Sequence, residues 1–199
     1  MDKFSLVYVD DNPDTVLSRY LDQEFRSDNY EIDYSEIRFE PQEGYKSLLS
    51  DTKIQRANII LVDSRLFENK TAINQKFTGE EFKLILRKFY PFIEVIVITQ
   101  NVIEDGVAHI SKYNQTLGRS ASKYYAEKLP EILDKAVASI QQYRLLAAYV
   151  EKNDSWEEFI KEKVLTTLNG TFAYDDLTTS DVNKLISAFK EMEGCFHGR

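Results

Sequence analysis

Short apolar runs recur along the chain, separated by intervals long enough for a helix and a turn. Such spacing marks a parallel sheet covered by helices on both faces, because strands buried on both sides read as near-continuous hydrophobic runs. The pattern predicts strands at FSLVYV (4–9), YEIDYSEIRF (30–39), NIILV (58–62), EVIVIT (94–99) and VAHIS (107–111).

The intervals carry helical periodicity. PDTVLSRYLDQEF puts Val16, Leu17, Tyr20, Leu21 and Phe25 on one stripe, with Pro13 suited to a first helical turn, and PQEGYKSLLSD supplies a shorter helix. GEEFKLILRKF (79–89) repeats the spacing at Phe82, Ile85, Leu86 and Phe89 before Pro91 stops it. From Pro130 to about Asn153, Ile132, Leu133, Val137, Ile140, Tyr143, Ala147 and Val150 follow three-four spacing, which predicts a helix long enough to leave the domain. A helical tail follows: WEEFIKEKVLTTL, a stop at Asn169-Gly170, then SDVNKLISAFKEME with Ser180 as N-cap. In the tail, Trp156, Phe159, Ile160, Val164 and Leu168 form a packing stripe. The expected organisation is one α/β domain, a doubly wound five-stranded parallel sheet over residues 1–150, and a helical extension over 151–199.

Composition narrows the partners. With 25 basic and 33 acidic side chains the formal charge of the 199-residue chain is −8, which repels phosphate backbones and anionic lipid. From residue 151 onward there are six basic and ten acidic residues, opposite to the balance of a DNA-reading output helix. Neither nucleic acid nor membrane is an expected partner. Cys195 is the lone cysteine and His109 and His197 the two histidines, so neither a disulfide nor a structural zinc site is expected. No apolar run is long enough for a membrane span or a signal peptide, which makes a cytoplasmic protein the expectation.

Open parallel sheets bind ligands at the carboxyl ends of their strands, so the residues just after each run carry the chemistry. They are Asp10 and Asp11 after the first strand, Asp63 after the third, Thr99 after the fourth and Lys112 after the fifth. Crowded carboxylates repel one another, and a hard divalent cation such as Mg²⁺ relieves that repulsion. A carboxylate beside such a cation can attack a phosphoryl group while an ammonium and a hydroxyl hold the oxygens. Asp63 is the candidate nucleophile, Lys112 the charge partner and Thr99 the hydroxyl donor. Lys123 rivals Lys112 if the fifth strand lies later; the strand-like VAHIS favours Lys112. Phosphate loops of the G-x-G-x-x-G and G-x-x-x-x-G-K types are absent, as is a D-x-D pair, since Asn12 sits two after Asp10.

VYVDDNPD, IILVDSRL, FTGEEFKLILR, VIVITQ and HISK, in that order, resemble the receiver domain of two-component response regulators over roughly residues 3–150. The resemblance implies a phosphoryl acceptor at Asp63 rather than an enzyme acting on a separate substrate. It further implies Mg²⁺ held by Asp11, Asp63 and the Arg65 backbone carbonyl, with Asp10 acting through water, and a switch residue at His109. As partners it implies a sensor histidine kinase or phosphotransfer protein, with the helical extension meeting a downstream protein and the long helix allowing a homodimer. The chain also departs from the pattern. Gly79 lies 16 positions after Asp63, so FENKTAINQKF is an insertion. Phe67, Gln100 and Tyr113 stand where a proline, a small residue and a proline are usual, and only NVIEDG represents the fourth helix. These departures leave a second expectation open: a pseudo-receiver interaction module that no longer switches.

Overall fold

A computed structural model describes residues 1–40, 44–66, 78–99, 109–114, 118–155 and 157–168. Strands β1 (Asp2–Asp10), β2 (Tyr30–Arg38), β3 (Ile59–Asp63), β4 (Glu94–Thr99) and β5 (His109–Ser111) form one sheet, all pairs parallel, in the order β2-β1-β3-β4-β5. This is the 2-1-3-4-5 order of flavodoxin-like doubly wound folds, whose switch point falls between β1 and β3. The helices are α1 (Thr15–Arg19), α2 (Tyr45–Ser50), α3 (Thr52–Arg56), α4 (Gly79–Phe89), α5 (Ala121–Glu151) and α6 (Glu158–Leu168).

Alternation along the strands assigns the two faces. Phe4, Leu6 and Tyr8 on β1, with Ile59 and Leu61 on β3, pack against Leu17 of α1 and Tyr125, Leu129 and Leu133 of α5. The intervening Val7, Val9, Ile60 and Val62 meet Leu48 of α2, Ile54 of α3 and Phe82 and Leu86 of α4. Both faces of the central strands are therefore dry, and each run reads as continuously apolar because each residue has a helix to bury against. Asn58 ties three strands together at the opposite edge: its side chain accepts from the Ser5 N–H, and its backbone bonds Ser5 and Glu94.

Several expected boundaries shift. The helix predicted from Pro130 begins nine residues earlier, at Ala121, where the Ser120 hydroxyl accepts from the Lys123 N–H. Pro130 lies inside it. A proline removes one helical hydrogen bond to the carbonyl four residues before, here that of Ala126 on an exposed position, and burial of Tyr124, Tyr125 and Leu129 holds the turns on either side. Pro13 precedes α1 instead of sitting in its first turn; Asp14 is the N-cap, its carboxylate accepting from the Val16 and Leu17 N–H groups. The first helix then continues as a π-helical turn, Tyr20–Glu24. The short helix expected after β2 is α2, and a second, unexpected one, α3, follows it directly: Asp51 ends α2 and its side chain caps α3 by accepting from the Lys53 N–H. Phe39, expected as the last residue of the second strand, follows β2, its N–H bonded to the Asp10 carbonyl. On α6, Phe159 is exposed and Val164 half-buried. The insertion 67–77 with Phe67, the 100–108 connection with Gln100 and the start of the predicted fifth strand, Trp156, and the tail 169–199 with its Asn169-Gly170 stop, Ser180, Cys195 and His197 lie outside the described residues, as do the side chains of Ile160 and Leu168.

Gly79 fixes α4 on the end of β3. Its N–H donates to the Ser64 carbonyl at 2.8 Å, and a Cβ there would lie 2.4 Å from the Asp63 carbonyl oxygen and 2.8 Å from the Ser64 Cα. Thr78 and Glu81 form a reciprocal capping box one residue before. Gly79→Ala is expected to lower stability by about 1–3 kcal/mol, an overpacking cost larger than the helix-propensity gain of roughly 1 kcal/mol. Urea denaturation of both proteins checks this; a variant as stable as wild type would show that α4 does not press on Asp63.

Candidate acidic site

β1 and β3 pair up to Val9 opposite Val62, and each is followed by an aspartate, Asp10 and Asp63. Asp63 is in turn in register with Ile98, Thr99 pairs Ser111, and the Lys112 N–H donates to the Thr99 carbonyl at 2.6 Å. The sheet register alone therefore brings Asp10, Asp63, Thr99 and Lys112 to one rim. Asp10, Asp63 and Thr99 are only 1%, 4% and 2% exposed, while Asp11 is half-buried.

One oxygen each from Asp10, Asp11 and Asp63 lie within 4.8 Å of one another. Lys112 enters this cluster: its Nζ is 2.6 Å from Asp63 Oδ1 and 3.0 Å from Asp10 Oδ2. Other donors also reach the two buried aspartates. Asp10 Oδ2 accepts from the Tyr8 hydroxyl at 2.5 Å and Oδ1 from the Asn12 N–H at 2.9 Å, while Asp63 Oδ2 accepts from the Arg65 N–H at 3.0 Å. Lys123, the rival cation, is in the first turn of α5 and its N–H bonds Ser120.

Three carboxylates around one ammonium leave uncompensated negative charge in a largely desolvated place. Burial, then the Asp10 charge, raises the Asp11 pKa above its ordinary value. For Asp63, burial raises the pKa, and the Asp10 charge adds to it, against the hydrogen bond and charge of Lys112. Burial by itself would lower Lys112, yet its hydrogen bond to and charge attraction for Asp63, and then Asp10, raise it instead. The donor set, hard carboxylate oxygens with excess negative charge, fits a hard divalent cation. Among the described residues no other cluster of three potential ligands occurs.

His109 opens β5, and neither ring nitrogen has a hydrogen-bond partner among the described residues; Nε2 lies 3.9 Å from Glu80 Oε1 of α4. Sequence reasoning overlooked Tyr8 and the Asn12 N–H as partners of Asp10. A polar group in an apolar strand two positions before the aspartate, hence on the same face, was the available signal for Tyr8; a backbone donor leaves none.

Compared with protein-family models and with curated protein sequences, the chain gives no match. Among solved structures it is similar to one described as the crystal structure of a two component transcriptional regulator AraC from Clostridium phytofermentans ISDg. The similarity spans 72% of this chain and 98% of that one, at 14% sequence identity and a TM-score of 0.41. No helix among the described residues is long and apolar enough to cross a membrane.

Raised carboxyl pKa values set a pH dependence. Asp11 and Asp63 bind protons more tightly folded than unfolded, so their ionisation costs stability as pH rises from the unfolded value near 4 through the raised folded ones. A cation that binds the ionised cluster offsets that cost. Millimolar MgCl₂ is expected to raise Tm at pH 7.5, with the shift fading toward pH 4; a shift independent of pH, or none in wild type, would contradict a carboxylate cation site.

Proposed function

We propose that this chain is a receiver-type phosphoryl acceptor that uses Asp63 as nucleophile in a divalent-cation-dependent phosphotransfer. The observation that carries the reading is Lys112, brought by the sheet from 102 residues away to touch Asp10 and within 2.6 Å of Asp63, with Asp11 alongside. Carboxylates gathered at the carboxyl edge of a 2-1-3-4-5 sheet, with an ammonium among them, suit attack on phosphorus better than any proton-transfer role.

Asp10, Asp11 and Asp63 would hold Mg²⁺, with the Arg65 backbone carbonyl as a further ligand. When bound, the cation supplies positive charge that neutralises incoming phosphoryl oxygens and lowers the repulsion felt by the nucleophile. The protein's own residues do the rest. An Asp63 carboxylate oxygen bonds to phosphorus as the bond to the donor's leaving atom breaks, giving an acyl phosphate. Lys112, whose raised pKa keeps it charged, pairs with a phosphoryl oxygen, and the Thr99 hydroxyl donates to another. His109, half-buried beside α4, would sense the new group as the switch residue. A histidine kinase or phosphotransfer protein would be the donor and residues 151–199 the surface that meets a downstream protein, with nucleic acid disfavoured by the chain's net charge of −8.

Incubation with Mg²⁺ and acetyl phosphate followed by intact-protein mass spectrometry tests the reading. One phosphoryl adduct is expected on wild type, none on Asp63→Asn, and at least about a tenfold slower uptake for Lys112→Ala, the usual scale for loss of a charge-stabilising group. An adduct that survives Asp63→Asn would sink the assignment. Wild type that binds Mg²⁺ yet takes up no phosphoryl group would make the chain an interaction module of the same fold.

A further inference from the structure

The acidic site is one corner of a closed polar ring that runs through the domain to α5. Tyr8, fully buried on β1, donates its hydroxyl hydrogen to Asp10 Oδ2 and accepts the Asp14 N–H at 3.3 Å. Asp14 caps α1 with Oδ1, and its Oδ2 accepts the hydroxyl of Tyr125, a fully buried residue of α5, at 2.8 Å. The Tyr125 oxygen accepts the Tyr113 N–H at 3.2 Å. Tyr113 is bonded to Lys112, whose Nζ returns to Asp10 Oδ2 at 3.0 Å.

Each link is specific to the residue that makes it. Tyr8 and Asp10 are two apart on one face of a strand, so a shorter side chain could not span to the carboxylate. Both phenol oxygens donate once and accept once, which fixes their orientation. The ring closes through the N–H of residue 113, a donor that proline lacks. Tyr113, a departure from the family the sequence resembles, thereby acquires a purpose.

We propose that this ring positions Asp10 and Lys112 and couples occupation of the acidic site to α5, with Tyr8 and Tyr125 as its positioning residues. The inference rests on the cation-site reading above. Asp10 Oδ2 is shared between Tyr8 and Lys112, so a cation drawn to Asp10, Asp11 and Asp63 competes with Lys112 for the same oxygens. Displacement of Lys112 moves Tyr113, and the Tyr113 N–H is what Tyr125 holds. In this way the helix that leads to residues 151–199 feels the site without any contact to a bound ligand.

Tyr8→Phe and Tyr125→Phe keep the rings and remove only the hydroxyls. Mg²⁺ titration of the full chain is expected to show about tenfold weaker binding for Tyr8→Phe, the lower end of what loss of an outer-shell partner costs a metal site. Tyr125→Phe, which touches no site carboxylate, is expected to weaken it roughly threefold, a typical coupling effect. The double variant should show less than the product of the two. Amide exchange by NMR adds a ligand-independent readout: Tyr8→Phe should speed exchange at Tyr113, at the far side of the ring, with no cation present. Wild-type Mg²⁺ affinity in both single variants would overturn the coupling while leaving the cation site standing. Should wild type itself bind no Mg²⁺, the cation reading falls, and with it the coupling to occupation. Unchanged Tyr113 exchange in Tyr8→Phe would overturn the ring as a positioning device in either case.

Discussion

The ammonium of Lys112 lodged between Asp10 and Asp63 is the constraint around which the rest of the domain is arranged. Two buried carboxylates and a third beside them cannot share a desolvated rim without a positive charge, because an unpaired buried charge costs several kcal/mol. The pairing spans 102 residues and exists only if β1, β3, β4 and β5 lie side by side in register. The dry strands that align it, with Val7 and Val9 on one face and Leu6 and Tyr8 on the other, are thus the means by which a charged cluster is tolerated. Gly79 serves the same end from outside, letting α4 close on the Asp63 backbone where any side chain would collide.

Much of this was legible in the sequence, for physical reasons that differ by element. Strands buried on both faces advertise themselves as apolar runs, so Phe4, Ile59 and Val95 announced a parallel sheet, and residues after those runs had to be at the binding edge. Asp10, Asp63, Thr99 and Lys112 could therefore be placed together without a structure. Boundaries governed by a single competing bond were not legible. Pro130 reads as a helix start, yet one missing hydrogen bond does not outweigh the burial of Tyr124 and Tyr125 in the turns before it. Asp51 reads as the end of a helix, yet its side chain also caps a second helix, α3, that the segment's periodicity did not announce. The partners of Asp10 were hidden for another reason: a tyrosine inside an apolar run looks like core, and only the fold shows that its hydroxyl meets a carboxylate.

The same contrast bears on what the chain does. Its resemblance to receivers lies in strand-end residues, which the sheet gathers, and its departures lie in the segments between them. At Tyr113 the departure is accommodated by a hydrogen bond to Tyr125 that the usual residue could not make. Tyr8 likewise adds a donor within the apolar run that precedes Asp10. The acidic site is therefore wired into its own helix α5 by phenol groups.

The most direct measurement is the location of Mn²⁺ by anomalous scattering in crystals grown or soaked with that ion. One ion is expected among Asp10, Asp11 and Asp63, bonded to carboxylate oxygens of Asp11 and Asp63 and reaching Asp10 directly or through water, with Lys112 drawn away from at least one of its two partners. An ion elsewhere, or none, with Lys112 still bridging Asp10 and Asp63, would contradict it.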